Sequence, residues 1–286
     1  MKYRFIVGIC LVFVLLFSAC SPQATVAPTS APVQPTQPPT AAPTQPKPVT
    51  LNVFAAASLT AAFNEIGKAF EAKNPGTTVT FNFAGSQQLA QQINSAAPAD
   101  VFASANQTQM DAVVKGGRID QGASKTFANN RLVVIFPKAN PAGIQTLQDL
   151  AKPGVKLILA DKAVPVGQYA LNFLDNAAKD TTFGAAYKDA VMKNVVSFEQ
   201  DVKSVLTKVT LGEADAGIVY TTDAATDMAG KISQLEIPDS LNVIAVYPLA
   251  GVKDSPNLAS AQSFVDFVLS ADGQAIIAKY GFIPID

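Results

Sequence analysis

The sequence predicts an α/β protein of two lobes, and three observations carry that expectation. From Val49 onward, short β-prone runs alternate with segments whose apolar residues recur at helical spacing. Two such series follow one another, the second beginning near Ile144, in about 235 residues, enough for two lobes with cores of their own. At several strand ends the side chains shrink to Ala, Gly and Ser just before a helix starts. Backbone is then accessible at the sheet edge where open α/β sheets bind ligands. Alternation of this kind implies parallel strands joined by crossover helices.

In the first series, Leu51–Phe54 reads as strand and Leu59–Asn74 as helix, with Leu59, Phe63, Ile66 and Phe70 on one stripe and Pro75-Gly76 as the stop. Thr78–Phe83 alternates as a strand, Ser86–Ser95 is helical, Asp100–Ser104 is a short strand and Gln107–Lys115 a helix ended by Gly116-Gly117. Arg131–Phe136 is a strongly apolar strand. In the second series the expected strands are Lys156–Ala160, Val195–Phe198, Ala216–Tyr220 and Leu241–Tyr247. The expected helices are Thr146–Leu150, Gly167–Ala178, Asp201–Leu211, Leu258–Leu269 and Gly273–Tyr280, the last with Gly281 as C-cap. Lobe 1 is expected over 49–133, lobe 2 over 134–243, with a return to lobe 1 over 244–286. The natural crossing points are Phe136-Pro137 and the Tyr247-Pro248 region.

The N-terminus reads as an export signal over residues 1–19. Lys2 and Arg4 precede an almost continuously apolar run, Phe5 to Phe17, too short for a permanent span, and Ser18-Ala19 supplies the small pair. Cys20 follows at once, and the segment resembles a bacterial lipoprotein signal, in which that cysteine becomes the lipidated first residue. Phe17 stands where leucine is commoner. Ser21 to Pro48 is rich in Pro, Thr, Gln and Ala, uncharged until Lys47, and reads as an extended tether. The expected location is the cell envelope, outside the cytoplasm, on a lipid anchor.

Composition removes several chemistries. The only other cysteine is Cys10, inside the signal, so the mature part has neither disulfide nor thiolate. Histidine is absent, which excludes Ser-His-Asp and Cys-His machinery. Net charge is −1, and about −3 once Lys2 and Arg4 are removed, with no basic block to hold nucleic acid. No cofactor is expected.

Five sites at strand ends form a constellation. Ser58, in Phe54-Ala-Ala-Ala-Ser58-Leu, and Ser86, in Phe83-Ala-Gly85-Ser86-Gln-Gln, each read as a helix N-cap at the end of a parallel strand, the layout of an anion site. Val166 follows Pro165 at a helix start and can offer only its backbone N–H. Val202 lies near another helix start, where Ser197 and Gln200 are placed to form a capping box. Tyr220 ends a buried strand, with its hydroxyl positioned to donate into a cleft. Arg118 and Arg131 lie outside these motifs and Lys162 and Lys203 are only near them, so an anion would be held by neutral donors and helix N-termini. No Asp or Glu stands in the proposed shell to accept a proton from hydrogen phosphate, so the set suits a fully deprotonated dianion. Asp223 and Asp227 hint at a cation site but read rather as solvated caps.

Together with Ala97-Pro-Ala-Asp100-Val-Phe-Ala-Ser104-Ala, Val164-Pro-Val166-Gly-Gln-Tyr169-Ala, Gly217-Ile-Val-Tyr220 and the terminal Lys279-Tyr-Gly-Phe282, these motifs resemble the periplasmic molybdate-binding proteins of ABC importers over Val49 to Asp286. The resemblance implies a type II periplasmic-binding fold, α/β lobes closing on one tetrahedral oxyanion, molybdate or tungstate, and a monomer that docks on a membrane permease. It implies anion contacts from the hydroxyls of Ser58 and Ser86, the backbone N–H groups of Val166 and Val202, and the Tyr220 hydroxyl. Relatives often carry alanine at the position of Val166, and some carry serine where Gly85 and Gln87 stand. The rival readings are a binder of sulfate, phosphate or a metal ion, an exported enzyme, and a structural surface lipoprotein. The missing histidine counts against an enzyme.

Overall fold

The computed structural model describes residues 48–225 and 230–285. The expected signal, Cys20, residues 21–47 of the tether and Asp227 lie outside the described residues. The first series forms β1 (Val49–Ala56), α1 (Thr60–Lys73), β2 (Thr77–Ala84), α2 (Ser86–Asn94), β3 (Val101–Ala103), α3 (Gln107–Lys115) and β4 (Lys125–Asn130). The second forms β5 (Leu132–Pro137), β6 (Leu157–Ala160), α4 (Pro165–Lys179), α5 (Tyr187–Lys193), β7 (Val195–Glu199), α6 (Val202–Thr210), β8 (Ala216–Tyr220), α7 (Thr221–Ala224) and β9 (Ile232–Glu236). The chain closes with β10 (Ala245–Gly251), α8 (Leu258–Leu269), α9 (Ala271–Lys279) and β11 (Ile283–Pro284).

These strands make two sheets. One has six strands in the order β11-β4-β10-β3-β1-β2, the other five in the order β7-β6-β8-β5-β9. The strands linked through helices are parallel, β1 to β2 and β3, and β6 to β7 and β8. β10, β11 and β5 pair antiparallel with their neighbours, so both sheets are mixed rather than parallel as expected. A crossover helix returns the chain in the same direction, but a strand arriving from the other sheet is free of that constraint.

The crossing points also differ from expectation. The chain changes sheet at Arg131, between β4 and β5, so Leu132 and Val133 already belong to the second sheet. Phe136-Pro137 instead closes β5 against β9, and Tyr247-Pro248 lies inside β10 at a bulge, a position that tolerates proline. The unexpected strand β4, Lys-Thr-Phe-Ala-Asn-Asn, carries only two apolar residues and so shows little periodicity.

The first sheet is covered on both faces. On one, Phe63 and Phe70 of the α1 stripe meet Phe264 of α8 with ring centroids 6.2 and 5.2 Å apart. On the other, α2 and α3 bury Leu89, Ile93, Met110 and Val113 against Phe54 and Phe102. The last helix ends as expected. Gly281 has φ +82°, and the N–H groups of Gly281 and Phe282 return to the carbonyls of Ala278 and Ile277. Phe282 is thereby turned inward onto the Tyr247 ring at 5.4 Å.

Candidate functional site

Strand register brings the first-lobe residues together. Ala56 of β1 pairs with Ala84 of β2, so Ser58 and Ser86, each two residues further, reach the same sheet edge. Neither caps a helix through its side chain, which corrects the sequence reading. Ser58 lies in the 3₁₀ turn Ala57–Leu59, and Ser86 is the first residue of α2 with Gly85 before it. Their hydroxyls have other partners. Ser86 Oγ accepts the Ala105 N–H at 3.0 Å, which leaves the Ser86 proton to be donated elsewhere. Ser58 Oγ lies 3.0 Å from the Tyr247 hydroxyl, and Asn130 Nδ2 approaches that hydroxyl at 3.5 Å.

The second lobe offers three strand ends at one edge. Ala160 of β6 aligns with Glu199 of β7, and Ile158 with Gly217 of β8. After β6, Pro165 opens α4 and places Val166 in its first turn; after β7, Val202 opens α6. N–H groups in a first helical turn have no carbonyl one turn back and carry the positive end of the helix dipole. Gly167 is required here, because a Cβ would collide with the backbone carbonyls of Ala160 and Asp161 and lift α4 off the strand end.

Tyr220 ends β8 with its side chain buried, and its hydroxyl makes no hydrogen bond of ordinary geometry among the described residues. Burial pushes that hydroxyl well above the ordinary tyrosine range, so it stays protonated and able to donate. Tyr220 also meets the Tyr247 ring edge-on at 5.7 Å.

Ser86, Val166, Val202 and Tyr220 line one small cavity between the lobes, walled by Ala56, Ala57, Ala84 and Gly85. Its free volume of about 10 Å³ is room for about one water, far below the hundreds of Å³ that organic ligands occupy. Ser58 stands one residue behind the Ala57 wall, with its hydroxyl turned to Tyr247. A wider groove of about 490 Å³ opens alongside and shares Ala57 and Asp201.

Asp201 also lines the cavity, against the expectation that no carboxylate would. Its two oxygens take the Ser204 N–H at 2.9 Å and the Ser204 hydroxyl at 3.1 Å, which makes it the N-cap of α6. The expected capping box is absent: Ser197 donates instead to Glu199 at 2.6 Å. An Asp immediately before the run Val202, Val205, Leu206, Val209 was the available signal. Asp223 is not a solvated cap. It is fully buried and ion-paired with Lys203 at 2.7 Å; burial pushes its carboxyl up and Lys203 pulls it back. In the groove, Lys208 is paired with Glu199 at 2.7 Å. Lys203 and Lys208 are thus already engaged with carboxylates. Among the described residues no group of three or more His, Cys, Asp or Glu could hold a metal ion.

Residues 51–283 match the family model of the bacterial extracellular solute-binding proteins. The chain is 37% identical over 272 residues to the molybdate-binding protein ModA of Mycobacterium tuberculosis H37Rv, covering 95% of each. The periplasmic molybdate-binding protein of Azotobacter vinelandii superposes with a TM-score of 0.70 at 21% identity, over 82% of this chain and 100% of that one. The sulfate-binding protein SubI of M. tuberculosis H37Rv gives 0.75 at 20% identity, over 83% and 88%. At those identities the two structures speak to the fold, the paired mixed α/β lobes of type II periplasmic-binding proteins. Fold and family are those of a non-catalytic solute-binding protein. The chain therefore belongs to the bacterial extracellular solute-binding proteins and is closely related to the ModA molybdate-binding proteins.

Proposed function

We propose that the protein captures molybdate or tungstate outside the cytoplasm and presents it to the permease of an ABC importer, held to a membrane by a lipid on Cys20. One observation carries the ligand class. The Ser86 hydroxyl, the helix starts at Val166 and Val202, and the buried Tyr220 hydroxyl line one small cavity. All are neutral donors, and Lys203 and Lys208 nearby are paired with carboxylates. Such donors favour an acceptor-only dianion, which brings no proton of its own; Asp201 keeps lone pairs beyond its two Ser204 bonds, so hydrogen phosphate is separated from it by the titration below. Ser58 contributes from the same edge, with Tyr247 holding its hydroxyl. The 37% identity with a molybdate-binding relative favours molybdate within the class.

Sulfate is the second reading, since the same donors serve any tetrahedral dianion and only size separates the two. A pocket slightly too large stretches every hydrogen bond in the shell. Calorimetric titration with molybdate, tungstate, sulfate and phosphate at one pH and ionic strength decides between them. One-to-one binding of the first two, far tighter than sulfate, is expected. Preference for sulfate, or silence from molybdate and tungstate, refutes the assignment.

A further inference from the structure

Of the side-chain hydrogen bonds that join the two lobes, three are anchored beside the anion cavity without belonging to it. Gln87 Nε2 donates to the Gln200 carbonyl at 2.8 Å, Asn106 Nδ2 donates to Gln168 Oε1 at 2.8 Å, and Gln109 Nε2 donates to the Ala163 carbonyl at 3.1 Å. The donors come from the starts of α2 and α3 in one lobe, and the acceptors from the first turn of α4 and the approaches to α4 and α6 in the other. Each bond is anchored close to a cavity residue. Gln87 follows Ser86, Gln200 lies two residues before Val202, Gln168 lies two after Val166, and Ala163 three before it. Gly85 gives the first bond its room, because a Cβ there would lie 2.5 Å from the Gln200 carbonyl oxygen.

We propose that Gln87, Gln109 and the Asn106–Gln168 pair form a latch that draws the N–H groups of Val166 and Val202 onto the anion and sets how long the cleft stays closed. The latch rests on the reading of the cavity as an anion site only for its effect on residence time. Its bonds touch none of the anion's oxygens, so they strengthen binding of every tetrahedral anion by the same factor. Affinity is set by latch and shell together, selectivity by the shell alone. A bond made on closure acts on escape, so dissociation quickens when it is lost.

The test uses Gln87→Ala, Gln109→Ala, Gln168→Ala and the triple variant. Asn106 is left intact because its Oδ1 caps α3 through the Gln109 N–H at 3.0 Å. The full chain, with Cys10 and Cys20 changed to Ser, carries spin labels at cysteines placed at the exposed Lys115 and Lys193, one per lobe. Distances are measured without anion, and molybdate and sulfate dissociation rates are measured in the same variants. Each single change is expected to raise the dissociation rate about 3- to 10-fold, the effect of one neutral hydrogen bond. The ratio of molybdate to sulfate affinity stays constant, and the anion-free triple variant shifts toward longer distances. A distance distribution identical in wild type and triple variant overturns the latch, as does a changed selectivity ratio. If no anion binds even the wild type, the anion-site reading fails, while the distances still decide the latch.

Discussion

Replacing Ser86 with alanine separates two consequences of one hydroxyl. Its Oγ is the acceptor for the Ala105 N–H at 3.0 Å, and both residues are buried, at 1% and 3% exposure. Without it that N–H has no acceptor, a penalty of about 1–3 kcal/mol on the unliganded protein. The anion also loses a donor, and a hydrogen bond to a charged acceptor contributes about 1.5–3 kcal/mol, or roughly 10- to 150-fold in Kd. Ser58→Ala is the matched comparison. Its Oγ partner, the Tyr247 hydroxyl, keeps Asn130 Nδ2 nearby, so the stability loss is expected to be the smaller of the two. Urea unfolding of the anion-free proteins and calorimetry with molybdate measure the two effects separately. Unchanged affinity in Ser86→Ala refutes its place in the shell. Unchanged stability refutes the role of its oxygen as the acceptor for Ala105.

Tyr220→Phe is expected to act in the opposite sense on stability. It deletes a buried hydroxyl that makes no hydrogen bond of ordinary geometry among the described residues, so the unliganded protein should gain about 1 kcal/mol while anion affinity falls about tenfold; a loss of stability in urea would contradict this. Gly85→Ala, at an ordinary φ of −59°, brings no backbone strain. Its Cβ would press on the Gln200 carbonyl at 2.5 Å, and overpacking of about 1–3 kcal/mol should weaken binding tenfold or more; wild-type affinity by calorimetry would refute the close approach. Asp149 is held well below the usual carboxylate range, first by Lys152 at 2.8 Å and then by the N–H groups of Gln145 and Thr146. With its folded pKa depressed, its contribution is complete above the unfolded value near 4 and is lost as pH falls toward the folded one. Asp149→Asn should therefore cost about 1–3 kcal/mol at neutral pH and flatten the acid limb of the stability curve below about pH 4. An unaltered acid limb in urea titrations would refute it.

Much of the site's composition is local in origin, which is why it could be read from the chain. The apolar stripe of α1, the small residues after β1 and β2, the Pro165 helix start and the Gly281 cap each depend on residues within a few positions of one another. Local pattern misjudged even some near neighbours. Ser58 and Ser86 sit where caps sit, yet their hydroxyls bond Tyr247 and Ala105, 189 and 19 residues away. β4 escaped notice because its strand character comes from pairing with β10 and β11 rather than from apolar residues of its own.

By itself, then, the sequence determined most of the strands and helices in order, though not β4, β9, β11 or α5, together with the absence of histidine and the small-residue helix starts that can meet an anion. Tertiary structure alone decided the mixed sheets, the crossing at Arg131, the burial of Asp223 against Lys203 and the hydrogen bonds across the cleft. The reason is physical. Helical period and turn chemistry are written within one or two turns of chain, whereas the partner of a buried hydroxyl or carboxylate is whatever polar group the packing of distant segments leaves within about 3 Å.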